Sequence, residues 1–252
     1  MMLLFLILLK IIANIRKKRL KYIQYLKYLV IFALNMLNEN QVYMKVNFYF
    51  VVVALAALMT SCCGADDKKV LFNGEDLTGW VGFVNPESGV PADQVYGVKE
   101  GNIYVAGNPF GYLRTAEKYG DYKMHIEWRW IGEGTNSGIF HREQDGDKIW
   151  PSAIECQLRS GKAGDYVMLG GSKISEVECV GEFPVKVRQG DYEKPVGEWN
   201  EAEIICEGKK ITVYINGQLQ NECTTTTEDG YIALQSEGGP LEFRNIYLTD
   251  IK

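Results

Sequence analysis

From Val70 onward, apolar and polar residues alternate in short runs separated by turn residues. Tyr122–Trp130 reads Tyr-Lys-Met-His-Ile-Glu-Trp-Arg-Trp. A strand there sets Met124, Ile126, Trp128 and Trp130 on one face, and Lys123, His125, Glu127 and Arg129 on the other, because successive strand side chains point to opposite sides. Ala153–Leu158 repeats the scheme, with Ile154, Cys156 and Leu158 opposite Glu155 and Gln157. Glu201–Glu207, Ile211–Ile215 and Gln218–Thr224 read as a meander, turning at Glu207-Gly208-Lys209-Lys210 and at Asn216-Gly217. Asn-Gly is the strongest short hairpin signal. Tyr231–Ser236 and Leu241–Thr249 close the chain as two further strands. No stretch of this region holds a 3.6-residue apolar period. The pattern therefore predicts an all-β domain over 70–252, a two-sheet antiparallel sandwich of about 180 residues, large enough for a substantial core.

The residues before Val70 follow a different plan. Residues 44–61 read MKVNFYFVVVALAALMTS: a positive start at Lys45, then an apolar run, then small residues. That is the build of a secretory signal, too short for a comfortable membrane span. It runs into Met59-Thr60-Ser61-Cys62, which resembles a bacterial lipobox with Cys62 as the lipidated residue. Residues 62–69 form a short polar tether. Its acids, Asp66 and Asp67, resemble the export signal of surface lipoproteins in Bacteroidetes. The expected location is the cell envelope, as an outer-membrane lipoprotein facing the periplasm or the surface. Residues 1–43, apolar, then basic, then apolar again, are expected to be an overlong gene-model extension, with translation starting at Met44; the other reading is a membrane anchor.

Charge then narrows the function classes. The chain has 27 bases and 32 acids, but eight of the bases and only one of the acids precede position 62, which leaves a net −12 for residues 62–252. Because neutralisation of the phosphate backbone by Lys and Arg dominates nucleic-acid affinity, no nucleic-acid partner is expected. Cys156, Cys179, Cys206 and Cys223 lie within the predicted domain. Export permits disulfides, and Cys206 and Cys223 sit on strands expected to neighbour one another; as alternating apolar positions, Cys156 and Cys206 also read as buried free thiols. With no C-x-x-C pair and two histidines in the chain, a structural zinc site is not expected. No G-x-S-x-G, H-E-x-x-H or Walker sequence occurs.

The candidate chemistry lies on polar strand positions. His125, Glu127 and Arg129 occupy one predicted strand, His141 and Arg142 follow Asn136-Ser137-Gly138-Ile139, and Glu155 and Gln157 occupy a third. These are expected on successive strands lining one groove. Lys123 and His125 read as a solvated face. Glu155 and Gln157 are poor strand formers with no evident stabilising role, which favours function. His141, a proton-transfer residue type at neutral pH beside Arg142, is the stronger histidine candidate. Trp150, in Ile149-Trp150-Pro151, is the expected stacking platform for a sugar; Trp128 and Trp130 read as core. Gly170-Gly171 and Gly238-Gly239 read as turns.

Several of these segments together resemble one family. Leu71-Phe72-Asn73-Gly74-Glu75-Asp76-Leu77-Thr78-Gly79-Trp80 is similar to its opening signature. Asn136-Ser137-Gly138-Ile139 with Arg142, Glu155-Cys156-Gln157, Gly197-Glu198-Trp199-Asn200, Asn216-Gly217, Leu234-Gln235 and Phe243-Arg244-Asn245-Ile246 follow in order. The set resembles the 3-keto-disaccharide hydrolase domain family (3-keto-glucoside 1,2-lyase and 3-keto-2-hydroxyglucal hydratase), over about residues 70–252. The loop Gly161–Lys194 matches less closely. The resemblance implies a concanavalin- or laminin-G-like jelly roll and a keto-sugar or glycan substrate. It also implies removal of the C2 proton of a 3-keto-glucoside, β-elimination at C1, and hydration of the product. The resemblance itself assigns no residue to these steps; from their chemistry and place in the pattern, His141 or Glu155 are expected as base and acid, and Arg142 or Arg129 at the developing oxyanion. Gln157 is expected to bind a sugar hydroxyl, and Glu127, Trp150 and Gln235 to complete the substrate contacts. No cofactor is called for; a divalent metal is compatible with this chemistry, but the sequence shows no ligand signature for one. The rival reading is a non-catalytic carbohydrate-binding lipoprotein that uses the same groove without a proton-transfer group.

Overall fold

The computed structural model describes residues 68–251. The expectations for the signal segment, for lipidation of Cys62 and for residues 1–43 lie outside them.

Fifteen strands run through the described residues. In chain order they are β1 (Lys69–Val70), β2 (Trp80–Val84), β3 (Tyr96–Lys99), β4 (Asn102–Val105), β5 (Gly111–Thr115), β6 (Tyr122–Trp130), β7 (Gly138–Glu143) and β8 (Ala153–Gln157). There follow β9 (Tyr166–Leu169), β10 (Val185–Lys186), β11 (Asn200–Glu207), β12 (Lys210–Ile215), β13 (Gln218–Thr224), β14 (Tyr231–Ser236) and β15 (Leu241–Thr249). They form two antiparallel sheets. The first has the order β13-β12-β11-β6-β15-β4-β3, with β1 alongside β15. The second has the order β10-β9-β8-β7-β14-β5-β2. This is the all-β sandwich expected from the alternating pattern.

Alternation decides what goes between the sheets. Along β6, Met124, Ile126, Trp128 and Trp130 are buried while the intervening residues are half-buried or exposed. They meet Ile139 of β7, Ile154 and Cys156 of β8, and Tyr166 and Met168 of β9 in one core cluster. The meander is present as β11, β12 and β13, and its second turn holds Asn216 at φ 48° and Gly217 at φ 77°. Positive φ at both positions is what a two-residue hairpin turn requires.

Three departures from the sequence pattern matter for the site. First, β6 belongs to the first sheet and β7 and β8 to the second, so the expected groove across three successive strands does not form. Second, the outer face of the second sheet is itself largely buried: Tyr112, Phe140, Ala153, Val167, Leu169 and Ala233 form a separate apolar cluster on it. Glu155 is buried for that reason, although alternation assigns it to a solvent face. Third, Cys206 and Cys223 are not on neighbouring strands, since Ile211 of β12 pairs with both. Two inter-strand spacings, about 9.5 Å, exceed what a disulfide spans, and the four cysteines of the domain are free thiols.

Candidate active site

The local conformation of β7 determines which side chains reach the outer face of the second sheet. The strand reads Gly-Ile-Phe-His-Arg-Glu. Strict alternation would put Phe140 and Arg142 on one side. Instead the register against β14 slips between Tyr231 and Ala233, and Arg142 takes φ 57°. Such a bulge inserts one residue and reverses the parity beyond it. Phe140 and Glu143 consequently share the outer face, while Ile139 and His141 point into the core.

Glu155 lies at the centre of the candidate site. It pairs with Phe140 across β7–β8, is 2% exposed, and its Oε1 finds no hydrogen-bond partner among the described residues. Its side chain extends over Gly138, where a Cβ would stand 2.6 Å from Glu155 Cδ. Glycine at 138 therefore leaves room for the carboxyl. On the other side of β7, Gln235 of β14 donates from Nε2 to Glu237 Oε2 at 2.8 Å, and its own Oε1 has no partner. Asn136 Oδ1, half-buried at the start of the strand, is likewise unpartnered. Burial, and then the charge of Glu237, push Glu155 well above the usual carboxylate range. Burial also raises Glu237, while Asn136, Arg159 and Gln235 favour its charged form. Two carboxyls thus stand close enough to sense each other, one strongly held in its neutral form and the other less so. Such pairs divide acid and base roles between them.

Among the sequence-predicted residues, Glu155 and Gln235 meet here. Gln157 is on the same face, opposite Gly138, but its Oε1 accepts from the Arg159 backbone amide at 2.9 Å and shapes the turn after β8. Trp150 leans on the apolar floor of this face, with ring centroids 5.9 Å from Phe110 and 5.3 Å from Phe183. The aromatic edge is thus contributed partly by the loop Gly161–Lys194.

The other expected residues are elsewhere. His141 is 0% exposed between the sheets, with Nδ1 at 2.9 Å from the Tyr122 hydroxyl. Burial, then Arg142, push its pKa down to about 3, so it stays neutral and takes no part in the outer-face site. Arg142 donates to the carbonyl oxygens of Tyr119, Gly120 and Gly208 at 3.0, 2.7 and 2.8 Å, holding loops of the domain together instead of facing substrate. Glu127 accepts from Arg244 and Asn245, and Arg129 pairs with Glu242, all on the outer face of the first sheet. These four expectations are therefore corrected: alternation with the outward Phe140 already points His141 into the core, the bulge turns Arg142 away from the face, and sheet membership separates Glu127 and Arg129 from it.

Sequence reasoning missed Glu237 and Glu143. Glu237 was hidden in the Gly238-Gly239 turn, although Gln235-x-Glu237 is the spacing of two residues on one strand face. Glu143 carried no signal, because only the bulge brings it outward. No cluster of three or more His, Cys, Asp or Glu among the described residues is arranged to hold a metal ion.

With this geometry in place, the chain can be set beside known proteins. A 3-keto-disaccharide hydrolase of Bacteroides thetaiotaomicron is 25% identical over 235 residues, covering 72% of this chain and 78% of that protein. The crystal structure of a candidate glycosyl hydrolase from Parabacteroides distasonis superposes with a TM-score of 0.56 at 20% identity, covering 73% of this chain and 94% of that one. The carbohydrate-binding module CBM66 of Bacillus subtilis superposes with a TM-score of 0.52 at 10% identity, covering 68% and 96%. These two likenesses concern the fold. The model of one family, described as the 3-keto-alpha-glucoside-1,2-lyase-like domain, matches residues 67–249. That match takes in the whole sandwich, and the chain belongs to this family.

Proposed function

We propose that this protein hydrolyses carbohydrates, and specifically that it cleaves 3-keto-glucosides by elimination followed by hydration. The general part rests on family membership and on the 3-keto-disaccharide hydrolase relative. The specific part rests on one observation: Glu155 is a buried carboxyl with an uncommitted oxygen, set beside a second carboxyl on one face.

A ketone at C3 acidifies the C2 proton, because the carbanion formed is an enolate. Glu237, the more readily ionised of the pair and oriented by Gln235, takes that proton. The C1–O bond then breaks, and Glu155, held protonated, gives its proton to the departing alcohol oxygen. Hydration runs the same path in reverse with water in place of the alcohol. Glu155, now a carboxylate, receives a proton from water as the oxygen bonds to C1, and Glu237 returns its proton to C2. Atoms and charges balance over the cycle, and no oxocarbenium ion is needed. The Gln235 and Asn136 amides are engaged with Glu237, which leaves the Arg159 guanidinium, whose charge acts on the same carboxyl, as the donor for the enolate oxygen; preorganised donors of this kind carry much of the work in such reactions.

The test uses purified protein with 3-keto and ordinary glucosides, following the conjugated enone in the ultraviolet and deuterium uptake at C2 in heavy water. The 3-keto-glucoside should turn over, and Glu155→Gln and Glu237→Gln should each lower kcat by about 100-fold or more while keeping sugar affinity. If the wild type binds sugar but turns over no 3-keto-glucoside, the reading fails in favour of a binding module. An envelope lipoprotein anchored through Cys62 belongs to the same reading, supported by the sequence alone; lipid labelling of whole cells expressing Cys62→Ser tests it.

A further inference from the structure

On the same face, three more side chains act on one another: Tyr112, paired with Gln235 across β5–β14, Arg114, paired with Ala233, and Glu143, at the far end of β7. Tyr112 and Arg114 come from β5 and Glu143 from β7. Tyr112 is 0% and Glu143 1% exposed. Tyr112 Oη, Arg114 Nε and Glu143 Oε2 are all buried, and none has a hydrogen-bond partner among the described residues. The Lys148 backbone N–H approaches the Tyr112 hydroxyl and the Tyr231 hydroxyl approaches the Arg114 guanidinium, but neither Tyr112 Oη nor Arg114 Nε is in good hydrogen-bond geometry. The Arg114 guanidinium lies 4.3 Å from the Tyr231 ring centroid and 3.5 Å from Asp147 Oδ1, and the Tyr112 ring packs between Phe83 and Phe140. Buried polar atoms are seldom left unpaired, so three orphans from three side chains in one place point to a ligand.

Their chemistry indicates which ligand. Burial pushes Glu143 up to about 7, with Asp147 and Asp145 adding to the rise and Arg114 opposing it. The carboxyl can therefore accept or donate near neutral pH. Tyr112 keeps its proton, and Arg114 offers only donors. One group of mixed character, one hydroxyl and one fixed donor complement a pair of sugar hydroxyls, each of which both donates and accepts. Two acids (Asp145 and Asp147) and two bases (Arg114 and Lys118) act on this carboxyl, so its surroundings hold no excess of positive charge to call for an anionic ligand.

The spacing fits as well. Glu155 lies over Gly138, and Glu143 is five residues further along β7, one of them absorbed by the bulge. At about 3.3 Å per residue, the two ends stand roughly 13 Å apart along the strand, the scale of two linked sugar rings. The floor between them is apolar, formed by Phe140 and Ala233. We propose that Tyr112, Arg114 and Glu143 form a second subsite, which holds the leaving-group sugar of a neutral disaccharide through a pair of its hydroxyls.

This proposal rests on the 3-keto-glucoside reading for the identity of the reacting ring. Its test therefore has a kinetic arm and a binding arm. In the first, kcat/KM is measured for a 3-keto-disaccharide and for 3-keto methyl glucoside. The wild type should prefer the two-ring substrate, and Glu143→Gln and Tyr112→Phe should each lower that preference about tenfold. In the second, calorimetry with the unoxidised disaccharide and methyl glucoside, which needs no turnover, should show the same preference and the same loss. A wild type that binds one and two rings equally overturns the proposal, as does a preference that both variants retain. Absence of turnover with the binding preference intact would sink the catalytic reading and leave the subsite standing. Tyr112→Phe, which removes only an oxygen, serves if Glu143→Gln does not fold.

Discussion

The Tyr122 hydroxyl and His141 Nδ1 lie 2.9 Å apart, joining β6 of one sheet to β7 of the other inside the core. The contact assigns His141 to the architecture. With its pKa pushed down to about 3, it carries no charge over the range in which the protein would work. We expect His141→Gln to destabilise the fold by about 1–3 kcal/mol, the cost of disturbing a buried polar pair. The pH profile of kcat/KM between pH 5 and 8 should keep its shape. Loss of either limb of that profile would return His141 to the chemistry.

Arg142 makes an equally sharp prediction. Its guanidinium serves three backbone carbonyls from two separate loops. Charged hydrogen bonds of this sort contribute more than neutral ones, so Arg142→Ala should cost about 3 kcal/mol or more in a urea titration. Arg142→Lys should recover little of it, since an ammonium cannot reproduce the planar fork. The fraction of variant that remains folded should turn over substrate at the wild-type kcat.

Gly138→Ala tests the placement of Glu155. Glycine at 138 is required by its neighbour rather than by its backbone, for its φ is not in the left-handed region. A methyl there must displace the Glu155 carboxyl. Misplacement of a reacting group by about 1 Å can cost 100-fold in rate, so turnover should fall by about that factor. Thermal stability should fall far less than in Arg142→Ala. Wild-type turnover by Gly138→Ala would remove Glu155 from the mechanism.

His125 gives a pH-dependent stability on the opposite face. It stands 2.5 Å from Glu203 and 3.6 Å from Glu127, and stacks on Tyr247 with ring centroids 4.9 Å apart. The hydrogen bond to Glu203, aided by both carboxylates and opposed by burial, raises its pKa above 6.5. A raised folded-state pKa means that the contribution is complete below about pH 6.5 and is lost as pH rises through the folded value. For a half-screened pair this amounts to on the order of 1 kcal/mol. Wild type should therefore lose stability relative to His125→Asn between pH 6 and pH 9, as read by denaturant midpoints. A difference independent of pH would contradict the assignment.

The strands themselves were legible in the sequence. Met124, Ile126, Trp128 and Trp130 alternate with charged residues, and the meander announces itself through Asn216-Gly217; both signals depend only on near neighbours in the chain. The family motifs pointed to Glu155 and Gln235 in the same way. By contrast, Glu127 and Arg129 look identical to Glu155 and Gln157 when read as polar positions of a strand. Nothing local distinguishes an outer face occupied by ion pairs from one carrying an apolar cluster with buried carboxyls.

The sequence by itself therefore determined the class of fold, its strands and the core-facing residues, because alternation is a local property that burial of one face enforces. The tertiary structure alone decided which sheet each strand joins, and hence which polar residues share a face. It also decided the parity at the end of β7, where one bulged residue, Arg142, turns Glu143 outward. Both are outcomes of pairing between distant segments, and a one-residue shift in that pairing exchanges the two faces of a strand.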